Sequence, residues 1–209
     1  MFTELFREYE ELLAIADQAF RRMEQDYGNE IKCEIHCTDC CYAIFGLFLI
    51  ESVYIKYHFD QLNDSEKREA LLRADQADED LANLEKRLAV YQDDAQLQAY
   101  ALARQRVRCP LLNDQQECIL YPYRPITCRV YGIPTAINGK ARVCWKAGFE
   151  RGESYPTFDL DAVYRHLYRL SRELLEKAGQ TDMGRASFLV SVSKSIKTPV
   201  EELLKEKLG

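Results

Sequence analysis

Four cysteines lie within nine consecutive positions in the first quarter of the chain, and two of them are adjacent. The other four are spaced nine, ten and sixteen positions apart in a proline-rich stretch further along. Thiolate sulfur is a soft ligand for zinc and for iron-sulfur clusters, but clustered thiols also form disulfides or fill apolar cores. The candidate functional residues are Cys33, Cys37, Cys40, Cys41, Cys109, Cys118, Cys128 and Cys144.

The composition favours a metal site over disulfides. The chain has 209 residues, of which 47% are hydrophobic, and a net charge of -6. Its length suits one globular domain, and the acidic balance disfavours nucleic acid as a partner. The first residues lack the basic start and apolar centre of a signal peptide, and the most apolar run, residues 42–50, is too short to span a bilayer. We therefore expect a cytoplasmic protein without a membrane anchor, where thiols stay reduced.

The spacing of the first cysteine group predicts a loop that wraps one ion or one edge of a cluster. Cys33, Cys37 and Cys40 follow a C-x3-C-x2-C pattern, so each ligand returns within a turn of chain. A helix expected to begin near residues 39–41, with Asp39 as its N-cap, would add a dipole end that favours thiolate. The second group lies where the chain has little capacity for its own core, so a metal would supply order there. We predict all eight cysteines as metal ligands, for an iron-sulfur cluster or alternatively for zinc.

Hydrophobic periodicity predicts helices through the first half of the chain. Apolar residues at steps of three and four predict a helix over 3–26 that stops near Gly28. A second, buried helix is expected over about residues 39–59. The segment 64–106 lacks glycine and proline and predicts a pair of helices inserted into the domain. The second helix of this pair is expected to be capped by Asp93.

The second half of the chain combines loops with further helices. Prolines between residues 110 and 134 exclude long helices there and predict an ordered loop region. The dipeptide Asn138-Gly139 predicts a two-residue hairpin turn. Helices are expected over 159–178 and over 198–208, the latter capped by its first residue. The predicted fold is therefore mainly α: one compact helical domain with a Pro-rich cysteine loop region and one short β-hairpin.

Two segments together carry a specific motif: CEIHCTDCC at 33–41 and CPLLNDQQECILYPYRPITCRVYG at 109–132. This motif resembles the YkgJ-type cysteine-cluster family, described as a zinc- or iron-chelating domain. That family pairs a C-x3-C-x2-C-C or C-x2-C-x2-C-C run with a downstream C-x-I-Y-x-x-R-P-x-x-C-R-x-F/Y segment. The chain matches the downstream segment at Cys118, Ile119, Arg124, Pro125, Cys128, Arg129 and Tyr131, with one extra residue in ILYPYRP. The resemblance implies that the cysteines bind zinc or iron.

Three functions stay open at this point. The leading one is a cytoplasmic metal-binding protein whose cysteines hold an iron-sulfur cluster or zinc. A related cysteine-cluster group includes flagellin lysine methylases that resemble iron-sulfur, S-adenosylmethionine-dependent enzymes, so the resemblance also implies a protein-modifying enzyme. The third is a structural metal module that docks a protein partner through residues 64–106. A radical S-adenosylmethionine barrel is disfavoured because strands and helices do not alternate along the chain.

Basic residues beside the cysteines have several interpretations. We interpret His36 as an exposed loop residue rather than a ligand, because eight thiols are available. Arg124 and Arg129 flank Cys128. They are expected to donate hydrogen bonds to cluster sulfur, to bind an anionic ligand or to form salt bridges with the acidic surface.

Overall fold

The computed structural model describes residues 2–34 and 36–205. Within these residues, eight α-helices are joined by short 3-10 turns and loops, and the only sheet is small, which confirms the mainly α fold class. The helices are α1 (Thr3–Tyr27), α2 (Leu49–Phe59), α3 (Asp64–Leu88), α4 (Ala95–Ala103), α5 (Ile126–Val130), α6 (Leu160–Lys177), α7 (Val192–Lys197) and α8 (Val200–Lys205).

The main hydrophobic core lies between the long helices α1 and α6 and the shorter helices α2, α5 and α8. Each long helix buries one stripe of apolar residues, because positions three and four apart share a face. On α1 the stripe includes Leu5, Tyr9 and Leu13, and α6 contributes Leu167 and Leu170. The predicted helices over 3–26 and 159–178 are thus confirmed.

The predicted helical pair over 64–106 is also confirmed, as α3 and α4. Helix α3 does not stand free of the domain: Ala70 and Ala74 pack with Ile196 of α7 in a second apolar cluster. Helix α4 is capped by Asp94, whose carboxylate accepts hydrogen bonds from the backbone of Gln96 and Leu97. The prediction that Asp93 caps this helix was wrong by one residue.

The second predicted helix was wrong in its first half. Residues 39–42 form a 3-10 turn, and α2 begins only at Leu49. The carbonyls of Cys41 and Tyr42, which a helix would use internally, accept hydrogen bonds from the backbone of Cys109 and Val107. Further on, Leu47 forms an antiparallel bridge with Val190. Tertiary pairing therefore holds residues 43–48 out of the helix.

The predicted hairpin is confirmed. Asn138 and Gly139 have φ values of 51° and 67°, as a type I′ turn requires, and join β1 (Thr135–Ile137) to β2 (Lys140–Arg142). A third strand, β3 (Phe158–Asp159), pairs in parallel with β1 and gives the order β2-β1-β3. Two residues are too few to show a strand pattern in the sequence.

Short helices account for the remaining differences. Helix α5 begins after Pro125 inside the region predicted as loop, since a proline fits just before a helix. Helix α7 was not predicted, and Ser191 caps it through the backbone N–H of Lys194. At the C-terminal end α8 begins at Val200, and residues 206–208 of the helix predicted there lie outside the described residues.

Candidate metal centre

The first four cysteines lie on the loop and turn that follow α1. The backbone N–H of Cys37 donates to the carbonyl of Glu34 at 2.9 Å. Cys40 and Cys41 lie on the 3-10 turn of residues 39–42. The predicted α-helical start at this point was wrong, so no full helix dipole faces these two thiols.

Backbone pairing brings the second cysteine group against the first. The N–H of Cys109 donates to the carbonyl of Cys41 at 2.7 Å. A further bridge between Leu112 and Cys118 folds the next turn of chain back on itself. Cys128 lies on α5, and Cys144 follows β2. Residues more than a hundred positions apart therefore meet in one region.

All eight cysteines line two adjoining cavities. The larger one, which we call the thiol cavity, has a volume of about 650 Å³ and is lined by Cys33, Cys37, Cys40, Cys41, Cys118, Cys128 and Cys144. The smaller one, the apolar cavity, has a volume of about 80 Å³ and is lined by apolar side chains together with Cys40, Cys41, Cys109, Cys118 and Cys128. The two cavities share four thiols, so the cysteines form one continuous lining.

The thiols are close but do not form a finished ligand set. All eight are free, and the sulfur atoms of Cys40 and Cys41 are 4.0 Å apart. Among the described residues, no group of three or more His, Cys, Asp or Glu side chains is arranged to hold a metal ion. The donor chemistry fits an iron-sulfur cluster or zinc, because thiolates are the usual ligands of both. Binding would require the side chains to turn toward a common centre.

Burial makes five of the thiols hard to ionise without a bound cation. It raises the pKa of Cys33 to about 11, of Cys109 to about 12 and of Cys118 to about 11. Burial also raises the pKa of Cys128 and Cys144. A bound metal reverses this cost because its positive charge stabilises thiolate.

The adjacent thiols of Cys40 and Cys41 have pKa values that are shifted in opposite directions. The pKa of Cys40 is lowered to about 7, chiefly because the thiol of Cys41 lies within hydrogen-bonding distance, and the pKa of Cys41 is raised by the same contact. Beyond its neighbour, Cys41 is close enough to Cys109 and Cys118 for their charges to act on it. Cys40 therefore carries the most acidic thiol for which a shift is resolved, and it lines both cavities.

Asp39 is a site residue whose role differs from the one predicted from the sequence. It was predicted as a helix N-cap, but its carboxylate instead accepts hydrogen bonds from Tyr131 Oη, Trp145 Nε1 and the thiol of Cys144. Its side chain is buried, and Lys146 lies 3.9 Å away as an ion-pair partner. Its position between cysteines was the only signal in the sequence, because nothing there indicates the distant donors.

The two arginines that flank Cys128 have different partners. Arg129 pairs with Asp17 at 2.6 Å and donates to the backbone carbonyl of Arg124, so it ties the loop to α1. Arg124 instead stacks on the ring of Tyr121 and lines both cavities. His36 is exposed with a positive φ of 68° on the rim of the thiol cavity, as the interpretation as a loop residue predicted.

Comparison with known proteins adds no further assignment. No family model matches the chain, and the searches of curated proteins and of solved structures each gave no match. Within the part of the chain that the structure describes, no helix is long and apolar enough to cross a membrane. The resemblance to the YkgJ-type family stays a prediction from the motif alone.

Proposed function

We propose that this chain is a cytoplasmic metal-binding protein that holds an iron-sulfur cluster through its clustered cysteines, with zinc as the alternative metal. One observation carries the proposal: all eight cysteines, drawn from distant parts of the sequence, line two adjoining cavities. Scattered apolar cysteines would have no reason to converge in this way. The motif that resembles the YkgJ-type family points to the same residues.

The make-up of the lining favours a cluster over a single zinc ion. Four thiols are shared between the cavities and four more adjoin them, which exceeds the four ligands of one structural zinc. The cysteines that would hold the metal are Cys33, Cys37, Cys40, Cys41, Cys109, Cys118, Cys128 and Cys144. An iron-sulfur cluster bound there would supply one-electron redox chemistry. The chain itself would supply thiolates and a half-buried setting.

Elemental analysis tests the proposal. Protein purified without oxygen should contain iron and acid-labile sulfide, and a variant with Cys40→Ser and Cys41→Ser should lose most of both. A variant with Ser187→Ala, which changes an exposed hydroxyl away from the cavities, serves as the control. Stoichiometric zinc without iron would rule out the cluster and identify zinc as the bound metal. A chain that retains no metal under these conditions and takes none up on reconstitution would refute the proposal.

The other two functions predicted from the sequence need their own tests. A protein-modifying enzyme should bind S-adenosylmethionine, which calorimetric titration of the metal-loaded chain detects. The module that docks a partner has one supporting observation: Leu72 and Val90, within residues 64–106, are 71% and 81% exposed. Pull-down with the intact chain and with charged replacements at these two positions would test it.

A further inference from the structure

The thiol cavity is larger than a bound metal needs. Its volume of about 650 Å³ falls in the range of about 300 to 1,000 Å³ typical of small-molecule pockets. Thiolate ligands lie only about 2.3 Å from a metal such as zinc, so a metal centre fills only part of such a space. The cavity therefore has room for a second, organic or inorganic ligand.

Acidic groups at the cavity are either exposed or already paired. Glu24, Glu34 and Glu117 lie on the rim with exposed side chains. Further in, Asp17 pairs with Arg129, and Asp39 accepts the hydrogen bonds described above. The inner wall is consequently not a site of uncompensated negative charge.

Arg124 is a half-buried cation of the thiol cavity that has no carboxylate partner among the described residues, whereas Arg21 and Lys32, which also line this cavity, are exposed. Its Nε donates to the carbonyl of Tyr121 at 3.1 Å, and its guanidinium lies 3.6 Å from the centre of the Tyr121 ring. These two contacts fix the plane of the group and do not use its terminal nitrogens. No carboxylate of residues 2–34 and 36–205 forms an ion pair with Arg124, whereas Arg129, five positions along the same loop, has one.

The positive charge of Arg124 lowers the pKa of several cysteines that line the thiol cavity. Although burial raises the pKa of Cys33, Cys118 and Cys128, the guanidinium opposes that rise at all three. It also helps to lower the pKa of Cys40, after the larger effect of Cys41. Arg124 also lines both cavities, so its guanidinium lies beside cysteines of both segments.

We propose that the thiol cavity contains a binding site for a small oxyanion, a phosphate or carboxylate group, held by the terminal N–H groups of Arg124. A guanidinium presents two parallel donors that match the two oxygens of such a group, and its orientation here is set in advance by Tyr121. The site does not depend on a metal, so this inference goes beyond the proposed function.

Calorimetric titration of the full chain tests the site with inorganic phosphate in one arm and succinate in the other. The reduced, metal-free protein and the metal-loaded protein are both measured. We expect saturable binding of at least one anion, weakened about tenfold or more in Arg124→Gln, because a charge-assisted bidentate contact is lost. The arm that saturates identifies phosphate or carboxylate as the preferred group. Arg124→Lys, which keeps the charge without the planar fork, should fall between the two.

Arg21→Gln is the matched control, because Arg21 lines the same cavity but is exposed on its rim. We expect less than a twofold change in affinity for this variant. Circular dichroism checks that the Arg124 variants fold. Failure of the wild-type chain to bind either anion saturably, or equal affinities in wild type and a folded Arg124→Gln, would overturn the inference. Metal content is measured separately, so loss of the metal proposal leaves this result unaffected.

Discussion

Asp39 accepts a hydrogen bond from the indole N–H of Trp145 at 3.0 Å, across 106 positions of sequence. The other carboxylate oxygen accepts from Tyr131 at 3.0 Å and from the Cys144 thiol at 3.5 Å. One buried side chain beside Cys40 thus fixes the segment that carries Cys144. The carboxylate acts as a positioning group for two cysteines that no local structure would bring together.

Replacing Asp39 by Ala should destabilise the fold and loosen the site. The change leaves several partly buried donors without their acceptor, which costs about 1–3 kcal/mol in free energy of unfolding. We expect urea unfolding to show this loss, and the emission of Trp145, the only tryptophan, to change. Asp39→Asn keeps one acceptor oxygen and should lose less.

Asp114→Ala is the control for Asp39. Asp114 is exposed and pairs with Arg108 at 2.8 Å on the surface. Exposed ion pairs of this kind add little to stability, so this variant should remain close to wild type. Equal stability losses at Asp39 and Asp114 would contradict the positioning role.

Gly132 lies where the backbone passes against Cys33. A Cβ atom at this position would lie 2.1 Å from Cys33 Sγ and 3.5 Å from the ring of Phe20. Gly132→Ala must therefore displace the Cys33 thiol, which costs little free energy of unfolding because this thiol is the end of an exposed side chain. We expect faster alkylation of Cys33, measured by mass spectrometry of peptides, together with lower metal content.

Gly139→Ala provides the comparison for Gly132. Its Cβ would meet no atom within 4 Å, but φ is 67°, so alanine costs about 1–2 kcal/mol in backbone strain. Gly139→Ala should therefore lose more stability than Gly132→Ala, while only Gly132→Ala changes the reactivity of Cys33. Unchanged alkylation of Cys33 in Gly132→Ala would argue against the close approach.

Glu51 gives the fold a pH dependence below neutrality. Its side chain is buried in the main core, and desolvation raises the pKa of its carboxyl to about 7 despite hydrogen bonds from Phe48, Ile126 and Tyr9. The folded protein holds this proton more tightly than the unfolded chain does. Rising pH, from about 4.5 to about 7, therefore lowers the free energy of unfolding, by about 3 kcal/mol in total for this group.

Glu51→Gln isolates that contribution. Burial lowers the pKa of His58, so this residue acts in the opposite direction: its contribution makes the folded protein more stable as the pH rises. The informative quantity is thus the difference between wild type and Glu51→Gln in urea midpoints between pH 5 and pH 8. We expect wild type to lose stability relative to the variant as the pH rises, and parallel profiles would show that Glu51 does not titrate in this range.

The helices could be predicted because their signals are local. An apolar stripe at steps of three and four indicates α1 and α6 whatever the rest of the chain does, and Asn138-Gly139 specifies its own turn. The start of α2 could not be predicted. Residues 43–48 are apolar enough for a helix, but Cys41 and Tyr42 just before them pair with Cys109 and Val107. Within the segment, Leu47 pairs with Val190, and these distant contacts keep it out of the helix.

The candidate site was predictable in its residues but not in its arrangement. The eight cysteines were evident from spacing and motif, because thiols in such density have few other uses. The roles of Asp39 and Arg124 depend on donors and rings supplied by the folded chain, namely Trp145, Tyr131 and Tyr121. Sequence spacing contains no information on such contacts.

The sequence spacing predicts that Cys40 and Cys41 serve different groups of cysteines, because adjacent side chains on an α-helical turn diverge. In the 3-10 turn that forms instead, their sulfur atoms lie 4.0 Å apart, so the division needs a direct test. Charge on Cys109 and Cys118 raises the pKa of Cys41. Charge on Cys40 raises the pKa of Cys33 and also that of the downstream Cys128. From the sequence spacing we predict that Cys40 completes the group with Cys33 and Cys37, and that Cys41 belongs with the downstream group.

Double Cys→Ser variants test whether Cys40 and Cys41 belong to different metal centres. Metal content is measured for single Cys→Ser changes at 40 and 41 and for each combined with Cys37→Ser or Cys118→Ser. Residues that serve one centre lose metal non-additively, because the first change already removes that centre. We expect non-additivity for Cys40 with Cys37 and for Cys41 with Cys118, and near-additive losses for the crossed pairs. If Cys40 instead couples equally to Cys37 and Cys118, as its place in both cavities permits, the cysteines share one larger cluster and the division predicted from the spacing is wrong.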